Sequence, residues 1–348
     1  MLTRYAALRL GFAAIAHTGA DRWLAPMARG LGFILMLHHV RPWVDRDFAP
    51  NSILEVTPEF LDRTLAVLAP THDFVPLGDI PERLARPRPR PFVAITFDDG
   101  YRDNVEFAMP VLKRHSAPWS VFVTPGFVDH TARLWWLELE EAIRRLDRID
   151  VAYGAKRLVF PATNIADKGV AFQRLYWMLR RGPEERLRAI VQELADAAGV
   201  DGRQLTADLC LDWPGLAALA REPDVDIGAH TVTHPMLAKH PPDVMRWEMA
   251  ESRAVIEDKL QRPVRHFAYP VGDPGSAGPR EFAAAAEAGF TLAVTTRPGH
   301  VFASHAAHPM ALPRVALNGA FQNPAAVRAL ASGVPFLLWN RGRRVRVD

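Results

Sequence analysis

The stretch AITFDDGYRDN, residues 94–104, places two adjacent carboxylates at the end of an apolar run and directly before a glycine. The run that leads to them, Phe92–Phe97, is short and rich in β-branched residues, so it is predicted to form a buried strand. Asp98 and Asp99 then stand at its carboxyl end, where α/β folds bind ligands. Two neighbouring carboxylates repel each other, and a partner must offset their desolvation. The pair is therefore either a turn that caps the next element or part of a cation site.

Strand and helix patterns alternate on both sides of this stretch. GFILMLHHV, residues 32–40, is another buried-strand candidate, and the helix after it has Thr57 as N-cap and Pro58 as its first residue. The alternation continues to a last strand at 312–317 and gives about seven or eight strands, each followed by a helix. This order predicts an α/β protein with a barrel-like (β/α) architecture rather than an open sheet.

One segment interrupts the alternation. Residues 131–210 contain LWWLELEEAIRRL and PEERLRAIVQELADAAG, which are helical patterns with few strand signals between them. We therefore predict a helical insertion there. The remaining boundaries are predicted as an N-terminal helical segment at 1–30, the main domain at 31–320, and a C-terminal helix with a basic tail at 321–348.

The composition is that of a soluble globular protein, with 49% hydrophobic and 23% charged residues among 348. The formal net charge is only +3, and part of the basic excess lies in RPRPRP and in the tail RGRRVRVD. Such segments are more often solvated than bound to nucleic acid, so no nucleic-acid partner is expected. The single cysteine, Cys210, excludes an intramolecular disulfide.

The amino terminus, MLTRYAALRLGFAAIAHTGA, has a basic start and a short apolar stretch, as a signal peptide has. Arg9 and His17 interrupt the apolar run, however, and the large apolar side chains follow helical spacing. This pattern favours an amphipathic helix that lies on the domain or on a membrane surface. We expect a cytoplasmic protein, or one at the cytoplasmic membrane face with peripheral contact through this helix.

Two further strand ends carry groups that could do chemistry. IGAHTVTHPML, residues 227–237, places His230 and His234 four residues apart after a strand, and on a helical turn both imidazoles would face one way. Together with one carboxylate they make a three-ligand set that leaves metal positions open. RHFAYPVGD, residues 265–273, ends a third strand in a rigid turn whose backbone N–H groups either stabilise an oxyanion or serve only the turn.

TFDDG, HTVTH and FAYPVG, in this order, resemble the polysaccharide deacetylase family, also called the NodB-homology or carbohydrate esterase family 4 domain. The resemblance covers residues 31–317, apart from the insertion. FAYP, LMLHHV and ALPRV resemble the branch that acts on poly-N-acetylglucosamine. The resemblance implies a distorted (β/α) barrel of about seven strands, a divalent metal that is usually zinc, and removal of acetyl groups from N-acetylglucosamine units.

Carried over residue by residue, the resemblance makes Asp99, His230 and His234 the metal ligands and Asp98 the general base. It also assigns the oxyanion to a backbone N–H in the turn formed by Tyr269, Pro270 and Val271. We predict that Val271 is the donor and that Tyr269 and Pro270 contact the substrate.

The third motif departs from the family in one respect that concerns the base. Many members have arginine and tyrosine where this chain has Ala268 and Val271, so the residue that usually orients the base is absent from that place. We expect Arg314, in LPRV, to take this role, with Arg265 as the second choice.

The general acid also departs from the common pattern, because the usual carboxy-terminal Leu-x-x-His is not evident. In permuted members the acid comes from the amino-terminal strand, and LMLHHV fits that arrangement. Strand alternation points His38 and His39 to opposite sides, and we predict His39, which we align with the family's histidine. The histidines that do not fit the motif are His300, His305 and His308.

These observations predict a metal-dependent N-deacetylase acting on N-acetylglucosamine-type units of a polysaccharide, oligosaccharide or glycoconjugate. Two alternatives stay open: hydrolysis of another C–N bond, in a cyclic amide or peptidoglycan, and a catalytically silent glycan-binding domain. Trp135 and Trp136 could stack on sugar rings, but adjacent tryptophans in an insertion more often pack against the barrel, and we predict packing.

Overall fold

The computed structural model describes residues 2–347, with side chains from residue 5 onward. The strands in chain order are β1 (Gly32–Leu37), β2 (His39–Val40), β3 (Glu55–Val56), β4 (Asp73–Phe74), β5 (Phe92–Phe97), β6 (Trp119–Val123), β7 (Arg148–Tyr153), β8 (Lys156–Pro161), β9 (Val225–Ala229), β10 (His266–Ala268), β11 (Leu292–Pro298) and β12 (Leu312–Ala316).

A closed barrel of seven parallel strands is the centre of the described part of the chain. Its order is β1, β12, β11, β10, β9, β6 and β5, and β5 pairs back to β1 along its whole length. β4 extends this sheet by pairing with the first two residues of β5, whereas β6 pairs with the last three. The predicted (β/α) barrel of about seven strands is confirmed.

Helices cover the barrel and join its strands. They are α1 (Leu2–His17), α2 (Ala20–Trp23), α3 (Ala25–Ala28), α4 (Pro58–Leu68), α5 (Ile80–Ala85), α6 (Met109–Arg114), α7 (Pro125–Val128), α8 (Trp135–Arg145), α9 (Ile165–Arg181), α10 (Glu184–Ala197), α11 (Gly202–Leu209), α12 (Trp213–Leu219), α13 (Pro242–Leu260), α14 (Pro279–Glu287), α15 (Pro324–Ala331) and α16 (Val334–Trp339). Helix α4 begins as predicted: the Thr57 side chain accepts a hydrogen bond from the Phe60 N–H at 3.1 Å.

The barrel strands are buried on both faces, as parallel strands under a layer of helices must be. All six residues of β1 and of β5 are buried. In β1 the side chain of Ile34 belongs to the cluster inside the barrel, whereas Leu35 and Leu37 belong to the cluster beneath the helices. The same alternation in β5 points Phe92 and Ala94 inward and therefore directs Asp98, two pleats further on, toward the mouth of the barrel.

The insertion at 131–210, which is described throughout, contains helices α8 to α11 and also the antiparallel hairpin β7–β8. The hairpin was not predicted. Its sequence, RIDVAYGAKRLVFP, turns within two residues at Gly154, whose φ of 65° is the left-handed region that such turns use. Ile149 and Val151 point from β7 into an apolar core that the insertion shares with Phe127 and Met236 of the main domain.

Helix α1 lies on the domain, which is one of the two locations that its pattern predicted. The rings of Phe12 and Phe321 meet edge to face at 5.0 Å, and Tyr5, Leu8 and Ile15 pack on the same core. Residues 321–347 contain two short helices, α15 and α16, rather than one. Among the described residues, no helix combines the length and the apolar character that a bilayer crossing needs.

Candidate active site

Asp98 is the centre of a buried ion pair at the mouth of the barrel. Both nitrogens at the end of the Arg314 side chain donate to it, with Nη1 2.7 Å from Oδ1 and Nη2 2.7 Å from Oδ2. Burial alone would raise the pKa of the Asp98 carboxyl, but the charge and hydrogen bonds of Arg314 outweigh burial and lower this pKa. Asp98 is thus a carboxylate whose orientation is fixed by two hydrogen bonds.

Arg314 lies where the sequence analysis expected a base-orienting residue. It comes from β12 and is 1% exposed, and its Nε–H donates to the Thr295 carbonyl at 2.9 Å. Arg265, the second choice, is exposed at the start of β10. The guanidinium that contacts Asp98 is therefore supplied from a different strand than the third motif.

Asp99, His230 and His234 form a buried cluster beside this ion pair. Their ligand atoms all lie within 4.8 Å of one another, with Asp99 Oδ1 3.6 Å from His230 Nε2 and 3.3 Å from His234 Nε2. Burial alone would raise the pKa of Asp99, but the nearby histidines, His234 first, lower it. The structure thus brings together the three residues that the sequence analysis named as metal ligands.

The cluster has the properties of a metal site. His230 Nδ1 lies 2.6 Å from the Ala268 carbonyl and donates to it, which leaves the lone pair of Nε2 for a ligand. Burial lowers the pKa of His230 to about 4, so the imidazole is neutral at pH 7, as a metal ligand must be. Asp99 Oδ1 is buried with no hydrogen-bond partner in residues 2–347, so a polar group remains that a cation would satisfy.

The two histidines are not on a helical turn, contrary to the geometry considered for HTVTH. Residues 230–234 form a loop in which Thr231 and His234 have φ of 63° and 58°. Such left-handed conformations cost of order 1–3 kcal/mol each and persist only where the surroundings impose them. Asp99, with φ of 72°, is a third case at the same site.

Two carboxylates from outside the motifs hold this loop. Glu248 of α13 accepts hydrogen bonds from the Val232 N–H at 2.7 Å and the Thr233 N–H at 3.0 Å. Glu184, at the start of α10 in the insertion, accepts from the Met236 N–H at 2.8 Å. The insertion therefore helps to position the loop that carries His230 and His234, a role that no short motif indicates.

The histidine that faces the site is His38, not His39 as predicted. His38 lines the same cavity as Asp99, His230 and His234, and its Nε2 lies 3.9 Å from Asp98 Oδ2. His39 points the other way: its ring stacks on Tyr101 at 3.6 Å and its Nδ1 is 2.6 Å from Asp103 Oδ2. The physical reason is the pleat, since His38 is on the inward face with Ile34 and Met36.

Of the three turn residues predicted to act at the site, only Val271 lines the cavity. Val271 has φ of 63° and lines the cavity, and its N–H has no hydrogen-bond acceptor in the described chain. Contrary to the prediction, Tyr269 and Pro270 do not line the cavity: both are buried, and the Tyr269 hydroxyl donates to the Met310 carbonyl at 2.9 Å. The Val271 N–H is thus unpaired within the described chain, and its role toward an oxyanion stays a prediction.

A cavity of about 360 Å³ lies over these groups, and the insertion forms one of its walls. Trp136 packs on His234, with ring centroids 5.0 Å apart, so it both packs and lines the cavity, and the prediction of packing alone was incomplete. Arg180 is tied to Asp273 by an ion pair of 2.6 Å. The side chains that the insertion contributes are Trp135, Trp136, Phe172, Tyr176 and Arg180.

Residues 85–293, more than half of the chain, match the polysaccharide deacetylase family. The chain belongs to this family, and the resemblance carried by TFDDG, HTVTH and FAYPVG is confirmed. It is therefore a hydrolase that acts on carbon–nitrogen bonds other than peptide bonds. None of the curated proteins compared has a sequence that matches.

Solved structures show the same fold at low sequence identity. The Streptococcus pyogenes deacetylase PplD, solved with acetate, is 19% identical, and the match covers 82% of this chain and 92% of that one with a TM-score of 0.54. IcaB from Ammonifex degensii is 18% identical over 87% of this chain and 99% of its own, also at 0.54. The putative polysaccharide deacetylase BA0330 from Bacillus anthracis is 16% identical over 87% and 68%, again at 0.54.

Proposed function

We propose that the protein is a metal-dependent N-deacetylase that removes acetyl groups from N-acetylglucosamine-type units of a glycan or glycoconjugate. The observation that carries this proposal is the juxtaposition of a buried Asp99, His230 and His234 cluster with a carboxylate, Asp98, that is not part of it. Amide hydrolysis needs an activated water and a base, and these two neighbouring groups meet both needs.

The three-residue cluster would hold a divalent cation, with zinc as the first candidate because two imidazoles and one carboxylate are common ligands of this ion. When bound, such a cation supplies a Lewis acid for the acetyl carbonyl and acidifies water. His230 presents Nε2 because its Nδ1–H is engaged by Ala268. Asp99 presents Oδ1, the atom that has no hydrogen bond within the described residues.

Asp98 accepts the proton of the attacking water, because it is a carboxylate with no role as a ligand in this assignment. Arg314 keeps Asp98 ionised and fixed in direction. As the tetrahedral adduct forms, the carbonyl oxygen gains negative charge and the Val271 N–H donates a hydrogen bond to it.

His38 provides the proton for the leaving nitrogen. Its Nε2 is 3.9 Å from Asp98 Oδ2, its side chain is 20% exposed, and it lines the same cavity. The new C–O bond remains in acetate, the C–N bond breaks, and the proton from His38 goes to the amine of the sugar. Asp98 then gives up the proton that it has taken, and His38 takes up a proton through solvent in place of the one that it has given, which restores the starting state.

The walls of the cavity suit a sugar ring. Trp135 and Tyr176 stack on each other with ring centroids 5.4 Å apart and a tilt of 29°, and both line the cavity beside Trp136. Aromatic faces provide large, rigid contact area for the apolar face of a pyranose, while the indole N–H and phenol groups remain for hydrogen bonds. The Trp136 indole N–H is buried with no partner in the described chain, so an acceptor on the substrate could satisfy it.

Acetate release from a panel of N-acetylglucosamine oligomers and N-acetylated glycolipids, with and without a chelator, tests the proposal. Acetate that disappears with chelator and returns with added zinc is the expected result. Ammonia or a ring-opened product without acetate would show instead that the enzyme hydrolyses a different C–N bond. Acetate release that is unaffected by complete metal removal would contradict the metal assignment.

A further inference from the structure

A second and larger cavity, of about 950 Å³, lies next to the catalytic cavity. Pro50 and Ile53 line both, so the two cavities adjoin at these side chains. We infer that this second cavity, called the apolar groove below, holds the hydrocarbon chain of the substrate. This inference rests on the proposed function and makes the substrate a glycolipid, in which an N-acetylated sugar is attached to a lipid.

The groove has the surface that a hydrocarbon chain needs. Its walls are the loop at 43–53, one face of α9 and part of α1. Large apolar side chains stand open to water there: Trp43 is 61% exposed, Ile165 52% and Val170 51%. Contiguous exposed apolar residues on a soluble domain mark a binding site, because covering them removes unfavourable contact with water.

The face of helix α9 that lines the groove carries a glycine. The residues that line the groove follow helical spacing, and Gly169 stands among them in the second turn of the helix. Glycine in a helix interior is less stable than alanine, yet a Cβ at Gly169 would meet no atom within 4 Å. Close packing within the described chain therefore does not require this glycine, whereas its missing side chain widens the groove. The α9 residues that line the groove are Ile165, Ala166, Gly169, Val170, Gln173 and Arg174.

Three charged side chains, Arg9, Asp47 and Arg174, also line the groove, and all three are exposed. Together they carry one more positive than negative charge, which suits a lipid attached through an anionic group such as a phosphate.

A chain attached to the substrate fits this site better than the other apolar occupants. The groove is concave and starts at the catalytic cavity, so one molecule with its sugar over Asp98 and its chain beyond Ile53 would fill both spaces. A bilayer surface is too flat to follow this path. A docked helix from another protein would not explain why the groove adjoins the catalytic cavity at Pro50 and Ile53.

The kinetic test uses alkyl glycosides of N-acetylglucosamine with chains of one to ten carbons, all below their critical micelle concentrations. KM should fall about two- to fourfold per methylene until the groove is filled, where fourfold corresponds to about 0.8 kcal/mol for a fully buried CH₂. Val170→Asp should abolish most of this dependence on chain length. Val244→Asp is the matched control, because Val244 is another exposed helical valine, 38% exposed on α13 and outside the groove. It should keep the full dependence.

A binding measurement separates this inference from the proposed function. Octyl glucoside carries no acetyl group, so its effect on tryptophan fluorescence reports the groove whether or not the enzyme turns over. The native protein should bind it at least tenfold more tightly than Val170→Asp does. If no substrate releases acetate, the proposed function is wrong. The octyl glucoside measurement still shows whether the groove binds a hydrocarbon chain.

Two results would overturn the inference. Acetate release with a KM independent of chain length, together with equal octyl glucoside binding by the native and Val170→Asp proteins, would exclude a chain site. Binding to phosphatidylglycerol vesicles that Val170→Asp abolishes, combined with no chain-length dependence, would assign the groove to membrane docking instead.

Discussion

Arg314 on β12 and Asp98 after β5 face each other across the barrel mouth through two parallel hydrogen bonds of 2.7 Å. The strands that carry them are not neighbours, because β1 lies between β5 and β12 in the barrel. The ion pair therefore spans a strand. Paired nitrogens that match both carboxylate oxygens are a geometry that arginine provides and lysine does not.

Replacing Arg314 should damage both stability and turnover. Arg314→Gln leaves the buried Asp98 charge without its partner, which should cost about 3–5 kcal/mol in the free energy of unfolding. The kcat of the folded fraction should fall at least tenfold, since the base is no longer oriented. Urea unfolding and acetate release measure the two effects. Arg265→Gln, at the exposed start of β10, should change neither, and a loss of activity there equal to that of Arg314→Gln would reverse the assignment.

The two aspartates should separate metal binding from proton transfer. Asp98→Asn keeps the size of the side chain but cannot accept a proton, so metal should stay bound while kcat falls by about 10²-fold or more. Asp99→Asn should instead lower metal content. Elemental analysis of dialysed protein, paired with acetate release, checks both variants. Metal loss in Asp98→Asn with retention in Asp99→Asn would mean that the two roles are exchanged.

His38 and His39 should differ in the kind of damage that their removal causes. His38→Ala should lower kcat by about 10²-fold, the usual contribution of a general acid, with metal content unchanged. His39→Ala removes a buried hydrogen bond to Asp103 and the stack on Tyr101, so it should lower the unfolding temperature instead. Kinetics corrected for the folded fraction distinguish them. Normal turnover in His38→Ala would remove His38 from the mechanism.

Glu248 should control metal affinity from outside the ligand set. Glu248→Ala removes the acceptor of the Val232 and Thr233 N–H groups, which should weaken metal binding by about 10- to 100-fold, as loss of a supporting contact does. Competition with a chromophoric chelator measures the affinity. Glu251→Ala, one turn along α13, is the control and should bind metal as the native protein does. Unchanged affinity in Glu248→Ala would show that the loop keeps its shape without this anchor.

The barrel and the juxtaposition of Asp99, His230 and His234 could be predicted from the sequence, because both depend on local patterns. Apolar runs that end in Asp98 and Asp99, or before His230, give the strand ends, and parallel strands bring their carboxyl ends to one side. The orientation of His38 could not be predicted from the sequence, since both faces of β1 are apolar. One face carries Phe33, Leu35 and Leu37, and the other carries Ile34 and Met36. No polar face marks the solvent side of the strand, so the sequence pattern does not show which of His38 and His39 points into the barrel.

Contacts between segments that are distant in the sequence could not be predicted from sequence patterns either. Glu184 and Glu248 hold the loop of His230 and His234 from helices of the insertion and the barrel, and neither belongs to a motif. Trp136 was predicted to pack, which is correct, but only the fold shows that the ring it packs against is His234. Buried contacts and cavity walls use the same kinds of apolar side chain, so the residue type alone does not show which of the two roles a side chain has.

Metal titration measured together with acetate release tests the central claim most directly. The protein is stripped with chelator, and zinc is returned in steps while acetate from an N-acetylglucosamine substrate is followed. Activity should be absent in the stripped protein and rise linearly to a plateau at about one equivalent, as a single three-ligand site requires. His230→Ala combined with His234→Ala should stay inactive throughout. Full acetate release from the stripped protein, or a normal plateau in the double variant, would contradict the account.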